Sequence, residues 1–172
     1  MHQDNAPPLL SEDDLRHITR WAILCAARAL PVFEAVVPGD PRPREAIAAA
    51  AAFAEGGPRT AVLRKAAWGA QAAARAVDDP AAKAAARAAI AAAGAPYTHP
   101  IETPHQINHV LGPAAYAIQA LSLGVDDEAA ATEMELRQLI ALASPEIRRA
   151  QCNKREARSC MSREPNWKAA LG

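Results

Sequence analysis

The amino-acid sequence predicts an all-α fold: a single-domain bundle of about six or seven alanine-rich helices. Alanine, the residue with the highest helix propensity, occupies 45 of the 172 positions. Aromatic residues, which favour strands, are few, with 2 Phe, 2 Tyr and 3 Trp. Apolar residues also recur at helical spacing along most of the chain, so a packed helical domain is expected rather than disorder.

The first helix has a clear start signal after a flexible arm, which we expect over residues 1–10. Ser11 stands where an N-cap is expected, directly before an acidic first turn that suits the positive end of the helix dipole. We expect this helix to reach Leu30. Pro31 should bend or end it, and residues 32–37 add a short continuation.

The other expected helices also begin at residues that can cap them, and most end at glycine or proline. They run from near Pro43 (capped by Asp40) to Gly56, from Thr60 to about Val77, from Asp79 to Gly94, from Thr103 through Leu121, and over 127–142. Pro113 should kink the fifth helix. The bundle is thus predicted over residues 11–143, followed by a basic segment at 144–172 that is partly helical or frayed.

Charge composition argues against a polyanion as partner. Lys+Arg and Asp+Glu each number 19, and the excess of seven basic over three acidic residues is confined to 144–172. A run this weak is more typical of solvated surface than of a nucleic-acid tail, so nucleic acid is not the expected partner.

Cofactor and targeting signals are not evident in the sequence. It contains no P-loop, dinucleotide fingerprint, nucleophile elbow or zinc-ligand cysteine pair, and we expect no cofactor. Cys25, Cys152 and Cys160 have no metal or redox spacing, which fits reduced thiols. No signal peptide and no membrane span are visible, so the expected location is the cytoplasm, without a membrane partner.

Histidines near the start of the fifth helix form the first candidate site. His105, His109 and Tyr116 share one helix face, and His99 lies just upstream in the loop. Histidines four residues apart can bind a metal, but no third ligand stands beside them in a known pattern, and surface histidines are the more ordinary interpretation. If the protein is an enzyme, His99 and His109 are the candidate catalytic residues.

A second candidate site lies on the third helix, where Arg64, Trp68, Gln71 and Arg75 fall on one face. Such a face can bind an anionic or planar ligand by guanidinium pairing and stacking. The favoured interpretation, however, is that Trp68 fills space between alanine-rich neighbours and that the arginines only extend into solvent.

The proline-rich loop at residues 38–44 supplies a third polar group. Asp40, Arg42 and Arg44 can fix the loop through caps and ion pairs, which is the favoured interpretation, or can line a binding site.

Several ordered segments resemble a known family. They are Leu30-Pro31-Val32-Phe33-Glu34, Gly39-Asp40-Pro41-Arg42-Pro43-Arg44 with Ala46-Ile47, Ala72-Ala73-Ala74-Arg75, Tyr97-Thr98-His99-Pro100, and His109-Val110-Leu111-Gly112-Pro113-Ala114-Ala115-Tyr116-Ala117. In this order they resemble the immunity-five-like immunity proteins of bacteria and filamentous fungi, over about two-thirds of the chain.

The resemblance implies a cytoplasmic helical protein that protects its producer by binding a cognate toxin. It carries over Asp40, Arg42, Arg75, His99, His109 and Tyr116 as site residues. Two positions depart from the family's pattern. Gln71 stands where a histidine is common, and Ile90 stands where a glycine is common.

Three functions are therefore weighed. The first is an immunity-type binding protein without catalysis. The second is a small-molecule-binding protein, or an accessory or cyclisation enzyme of secondary metabolism, that uses a helical pocket lined by histidine and arginine. The third is a self-associating module that pairs through exposed alanine-rich faces. The sequence favours the first, with a toxin or a small molecule as partner and self-association left open.

Overall fold

A computed structural model describes residues 10–99 and 104–145, except for the side chains of residues 104, 105 and 107. These residues form six α-helices and no strand, which confirms the predicted all-α bundle for this part of the chain. The helices are α1 (Glu12–Val36), α2 (Arg42–Ala54), α3 (Ala61–Ala76), α4 (Pro80–Gly94), α5 (Pro104–Ser122) and α6 (Glu128–Leu142), with a 3-10 turn at Ala95–Tyr97.

Helix α4 is the centre of the bundle. It packs against α1, α2, α3 and α5, whereas α6 packs mainly on α5. Its buried residues are all alanines, namely Ala82, Ala84, Ala85, Ala86, Ala88, Ala89, Ala92 and Ala93. Because a methyl side chain keeps helix axes close, four neighbours can surround this helix. Larger core side chains come from the surrounding helices, as Phe33 and Phe53 do.

Capping side chains mark the starts of α1, α4 and α6. Asp40 was expected to cap α2, but the N-cap position of that helix is Pro41, which makes no side-chain capping bond. The Ser11 hydroxyl accepts the Asp14 backbone N–H, and the Asp14 carboxylate accepts the Ser11 backbone N–H. These two bonds form a capping box. Asp79 caps α4 by accepting the Ala82 N–H at 2.7 Å, as predicted. The cap expected of Thr60 was wrong, because Thr60 has the N-cap position of α3 but its side chain makes no capping bond.

Helix α1 is longer than the sequence suggested. It continues through Pro31 to Val36 as one helix, so residues 32–36 are not a separate continuation. Proline removes the N–H that would bond the carbonyl of Ala27. Both Ala27 and Pro31 are exposed, so water can satisfy that carbonyl, while buried Leu30 and Phe33 hold the next turn against the core.

Arginines of α1 bind the end of α2. Arg16 donates to the Phe53 carbonyl and, at 3.2 Å, to that of Gly57, and Arg20 donates to the Ala54 carbonyl at 2.7 Å. The last carbonyls of a helix lack partners within that helix, and they carry the negative end of its dipole. The two guanidinium groups therefore fasten α1 to α2 at a point where no side chain of α2 caps the helix.

Two contacts fasten α6 to α1. Arg28 forms a two-point ion pair with buried Glu135, at 2.6 and 2.9 Å, and the Trp21 indole donates to the Leu139 carbonyl at 3.0 Å. The pairing raises the pKa of Arg28 above its ordinary value.

Two other expectations concern burial and membranes. Cys25 is fully buried, and burial raises the pKa of its thiol to about 12, so the group stays protonated. No helix of residues 10–99 and 104–145 is long and apolar enough to cross a bilayer. The expectations for residues 1–9 and 146–172, Cys152 and Cys160 included, lie outside the described residues.

The alanine packing of α4 can be tested by overfilling it. Ala89 has no exposed surface, so Ala89→Leu should lower the free energy of unfolding by about 1–3 kcal/mol, because neighbouring backbones must move apart. Urea denaturation followed by circular dichroism measures the loss. Ala48→Leu on exposed α2 surface is the matched control and should change stability by less than about 0.5 kcal/mol. Equal effects of the two substitutions would contradict tight packing around α4.

Candidate functional site

A surface hollow of about 370 Å³ opens where α3, α4 and α5 meet. Its lining consists of Gln71 from α3, Arg87, Ile90 and Ala91 from α4, and Tyr116 from α5. The structure thus brings together one residue from each of the two predicted site helices, Gln71 and Tyr116.

The floor of the hollow is the one stripe of α4 that its neighbours leave uncovered. Lys83, Arg87, Ile90, Ala91 and Gly94 are at most half-buried, and they recur at the spacing of a single helix face. Most other positions of α4 are buried alanines. The stripe therefore reaches solvent between α3 and α5, with Arg87 as its cation nearest the centre.

Helices α4 and α5 run antiparallel along the hollow. The Arg87 guanidinium lies 6.0 Å from the centre of the Tyr116 ring, and a Cβ added at Gly112 would lie 3.8 Å from that of Ala91. A residue nearer the start of α5 thus lies beside a residue nearer the end of α4. Exposed His109, nearly two turns before Tyr116, accordingly lies beside the end of α4 rather than in the lining.

The edge of α3 beside the hollow carries Arg64, Trp68 and Arg75. All three are exposed, whereas Gln71 on the same helix face is half-buried. Trp68 is 70% exposed, so it does not fill space between helices. The favoured interpretation of Trp68 was therefore wrong, and an indole this exposed does not gain the free energy that its burial would supply.

Unpaired cations concentrate on α3 and α4. Six arginines elsewhere in residues 10–99 and 104–145 contact carboxylates: Arg16, Arg28, Arg42, Arg44, Arg59 and Arg137. Arg20 instead donates to the Ala54 carbonyl. The Lys and Arg side chains without a carboxylate partner in that part of the chain are Arg64, Lys65, Arg75, Lys83 and Arg87.

We define the cationic face as the hollow together with its charged rim. Its members are Arg64, Trp68, Gln71, Arg75, Lys83, Arg87 and Tyr116. Lys65 is left out because it follows Arg64 by one position on α3 and points about 100° away from it.

The loop histidines are placed only in part. His99 is exposed, and its backbone carbonyl accepts the side-chain amide of buried Gln106 at 2.9 Å. That bond fastens the loop to the first turn of α5. The side chain of His105 and the expected cap Thr103 lie outside the described residues. Within the described part, no group of three or more His, Cys, Asp or Glu side chains could hold a metal ion.

Asp40, Arg42 and Arg44 are engaged in ion pairs. Asp40 accepts two-point bonds from the Arg42 side chain, at 2.8 and 2.5 Å, and also the Arg42 backbone N–H at 3.1 Å. The Arg42 guanidinium holds the pKa of Asp40 below its ordinary value. Arg44 donates two hydrogen bonds to the Glu34 carboxylate, each 2.8 Å long.

This loop lies apart from the hollow. The Arg42 stem comes within 3.8 Å of a Cβ added at Gly69 of α3. Gly69 precedes Gln71 by two residues, so the two positions face nearly opposite sides of that helix. The predicted residues thus form two groups, with Asp40 and Arg42 on one side of α3 and Gln71 with Tyr116 on the other.

The sequence reasoning did not single out Lys83 and Arg87 as site residues. They are isolated cations in an alanine-rich segment, where charge is ordinarily read as helix surface. A usable signal was present, because Lys83, Arg87, Ile90 and Gly94 are the positions after Pro80 that interrupt the alanine run, and they fall at helical spacing.

A family model described as Imm-5 like putative immunity protein matches residues 8–145. This match covers most of the chain and all six helices. The chain belongs to this family. Searches of curated proteins and of solved structures found no match. Every member of the cationic face lies inside the part matched by the Imm-5 like family, whereas the basic segment after residue 145 lies outside it.

Gln71 and Ile90, where the resemblance leads us to expect a histidine and a glycine, both line the hollow.

The Asp40–Arg42 pair predicts a pH-dependent contribution to stability. The folded-state pKa of Asp40 is lowered, so the stabilisation is present above its unfolded value of about 3.9 and is lost as pH falls through the folded value. Asp40→Asn should lower the free energy of unfolding by about 1 kcal/mol at pH 7, and by much less near pH 2.5. Urea titrations at the two pH values measure both effects.

Asp126→Asn is the matched control. Asp126 is exposed in the connection before α6, and it has no ion pair with a described residue. Its substitution should leave stability unchanged at both pH values. A loss on Asp40→Asn that stays the same from pH 7 to pH 2.5 would show that the carboxylate charge is not its cause.

Proposed function

We propose that this chain is an immunity-type binding protein, which neutralises a toxin in the cytoplasm of the producing cell by binding it and without catalysis. Family membership supports the class of function. The cationic face supports binding as the means, because it carries an exposed tryptophan and four cations that have no carboxylate partner among the described residues. Arg64, Arg75 and Lys83 have no carboxylate partner in the described part of the chain, whereas the arginines of α1 fasten that helix to its neighbours directly.

The chemistry of the hollow favours binding over catalysis. Its polar lining is a guanidinium, an amide and a phenol, from Arg87, Gln71 and Tyr116. Each of these groups can donate a hydrogen bond, and none of the five lining side chains is a histidine or a carboxylate, which are the commonest general bases. Arginine, tyrosine and tryptophan are also the residues that most often dominate the affinity of protein interfaces.

A small-molecule-binding protein or accessory enzyme is the alternative, and the volume of the hollow is its supporting observation. About 370 Å³ falls in the range of small-molecule sites. Acid–base chemistry there would need an imidazole, and His109 is the nearest described one, beside the end of α4. That alternative requires His109→Ala or His99→Ala to abolish formation of a product in the producing organism.

The binding function is tested by growth protection. Each gene flanking that of this protein is expressed in a sensitive host, with and without this chain. We expect one flanking product to stop growth and this chain to restore it. Trp68→Ala and Arg87→Glu should each weaken binding of that product by about 30-fold or more, because each removes an anchor of the face. Calorimetry on the purified pair measures the change.

Arg137→Glu is the matched control for the charge reversal. Arg137 is exposed on α6, and its ion-pair partner among the described residues is Glu133, one turn away on the same helix. We expect that variant to protect the host as well as the unchanged chain does. If a flanking product is toxic and this chain does not reduce its toxicity, the proposed function is contradicted.

A further inference from the structure

We propose that the cationic face receives an acidic, extended segment of the partner protein, with one carboxylate on Arg87 at the hollow and others on the cations of the rim. This inference rests on the proposed function and specifies the chemistry of the partner. The observation behind it is that, in the described part of the chain, the cations of α3 and α4 have no carboxylate partner, whereas most other arginines do.

The cations of the face follow a line. Residues 77–79 connect α3 to α4. Gln71 lies before this connection and Arg87 after it, at similar separations along the chain. Because the two helices run back from the connection side by side, these residues can meet in one hollow. Arg75 and Lys83 lie one turn nearer the connection, and Arg64 lies two turns beyond Gln71. At 1.5 Å per residue, the span from Arg75 to Arg64 is about 16 Å. An extended segment of about five residues covers that distance.

Acidic side chains are scarce around this line. Helices α3, α4 and α5 contain no Asp or Glu. The connection between α3 and α4 contributes Asp78, which is exposed, and Asp79, whose carboxylate is occupied in capping α4. Glu102 precedes α5 and lies outside the described residues. A partner carboxylate would therefore meet several unpaired cations, with little repulsion from this side of the molecule.

The terminal segments of the chain do not match the face in charge. Residues 146–172 carry seven basic and three acidic residues, and residues 1–9 carry one acidic residue, Asp4. Neither segment offers a row of carboxylates for the line of cations. The occupant that complements the face is thus an acidic segment from another protein.

Nucleic acid fits less well than an acidic protein segment. Proteins that bind nucleic acid through phosphates commonly make about six to ten such contacts, and the face offers four cations.

The probe for this inference is octaglutamate, titrated into the full-length protein and followed by amide NMR shifts. Weak surface pairs of this number correspond to a Kd on the order of 1 mM at low salt. We expect shifts at residues 64–75 and 83–91 and at Tyr116, which added salt reverses. Arg87→Glu should weaken binding about tenfold, Arg137→Glu less than twofold, and octalysine should cause no shifts at these positions.

Three results would overturn the inference. Shifts confined to residues 146–172 would assign the acidic peptide to the basic segment. Tighter binding of an eight-nucleotide DNA strand at the same positions would assign the face to nucleic acid. Concentration-dependent self-association in sedimentation that Arg87→Glu removes would assign the face to a second copy of the chain.

The inference and the proposed function can fail separately. If octaglutamate binds as described but no flanking product is neutralised, the chemistry of the face stands and the immunity function fails. If a toxin is neutralised equally well by the unchanged chain and by the Arg75→Glu, Arg87→Glu double variant, the function stands and the acidic docking segment is wrong.

Discussion

Eight buried alanines on α4 allow four other helices to approach the same rod, and both the core and the hollow follow from that close approach. A methyl group fills little volume, so the bulk of the core must come from neighbouring helices, and it does so at residues such as Phe33 and Phe53. Helices α3 and α5 cover two sides of α4 without closing over its outer stripe. A groove over a thin central helix is thus a consequence of the packing, and the few large residues on that stripe, Arg87 and Ile90, become its floor.

Arginine has two different uses in this molecule. On α1 it holds the bundle together, since Arg16 and Arg20 satisfy the end of α2 and Arg28 pairs with a buried carboxylate. On α3 and α4 the arginines are exposed and lack such partners within the described chain. Like charges left close together repel one another, and an exposed indole loses favourable burial. Natural proteins break such rules mainly at functional sites, which agrees with the binding role that we propose for this face.

Local chemistry explains which elements the sequence could predict. Caps such as Ser11 and Asp79 act within one turn, so the starts of α1 and α4 were readable without knowledge of the packing. Pro31 was misjudged because its effect depends on whether water and the core can tolerate a missing bond, which is a tertiary property. The same limit applied to the site. The face of α3 could be read from spacing, but its meeting with Arg87 depends on how three helices assemble.

Gln71 and Ile90 bear on how such a hollow selects what it binds. The amide of Gln71 keeps the same hydrogen-bond donors and acceptors over the whole physiological range of pH. Ile90 fills part of the floor and adds an apolar contact. Neither residue belongs to the buried alanine set of α4, through which that helix packs against its neighbours. Substitutions at these two positions can therefore change the chemistry and the shape of the hollow while the packing of α4 is kept.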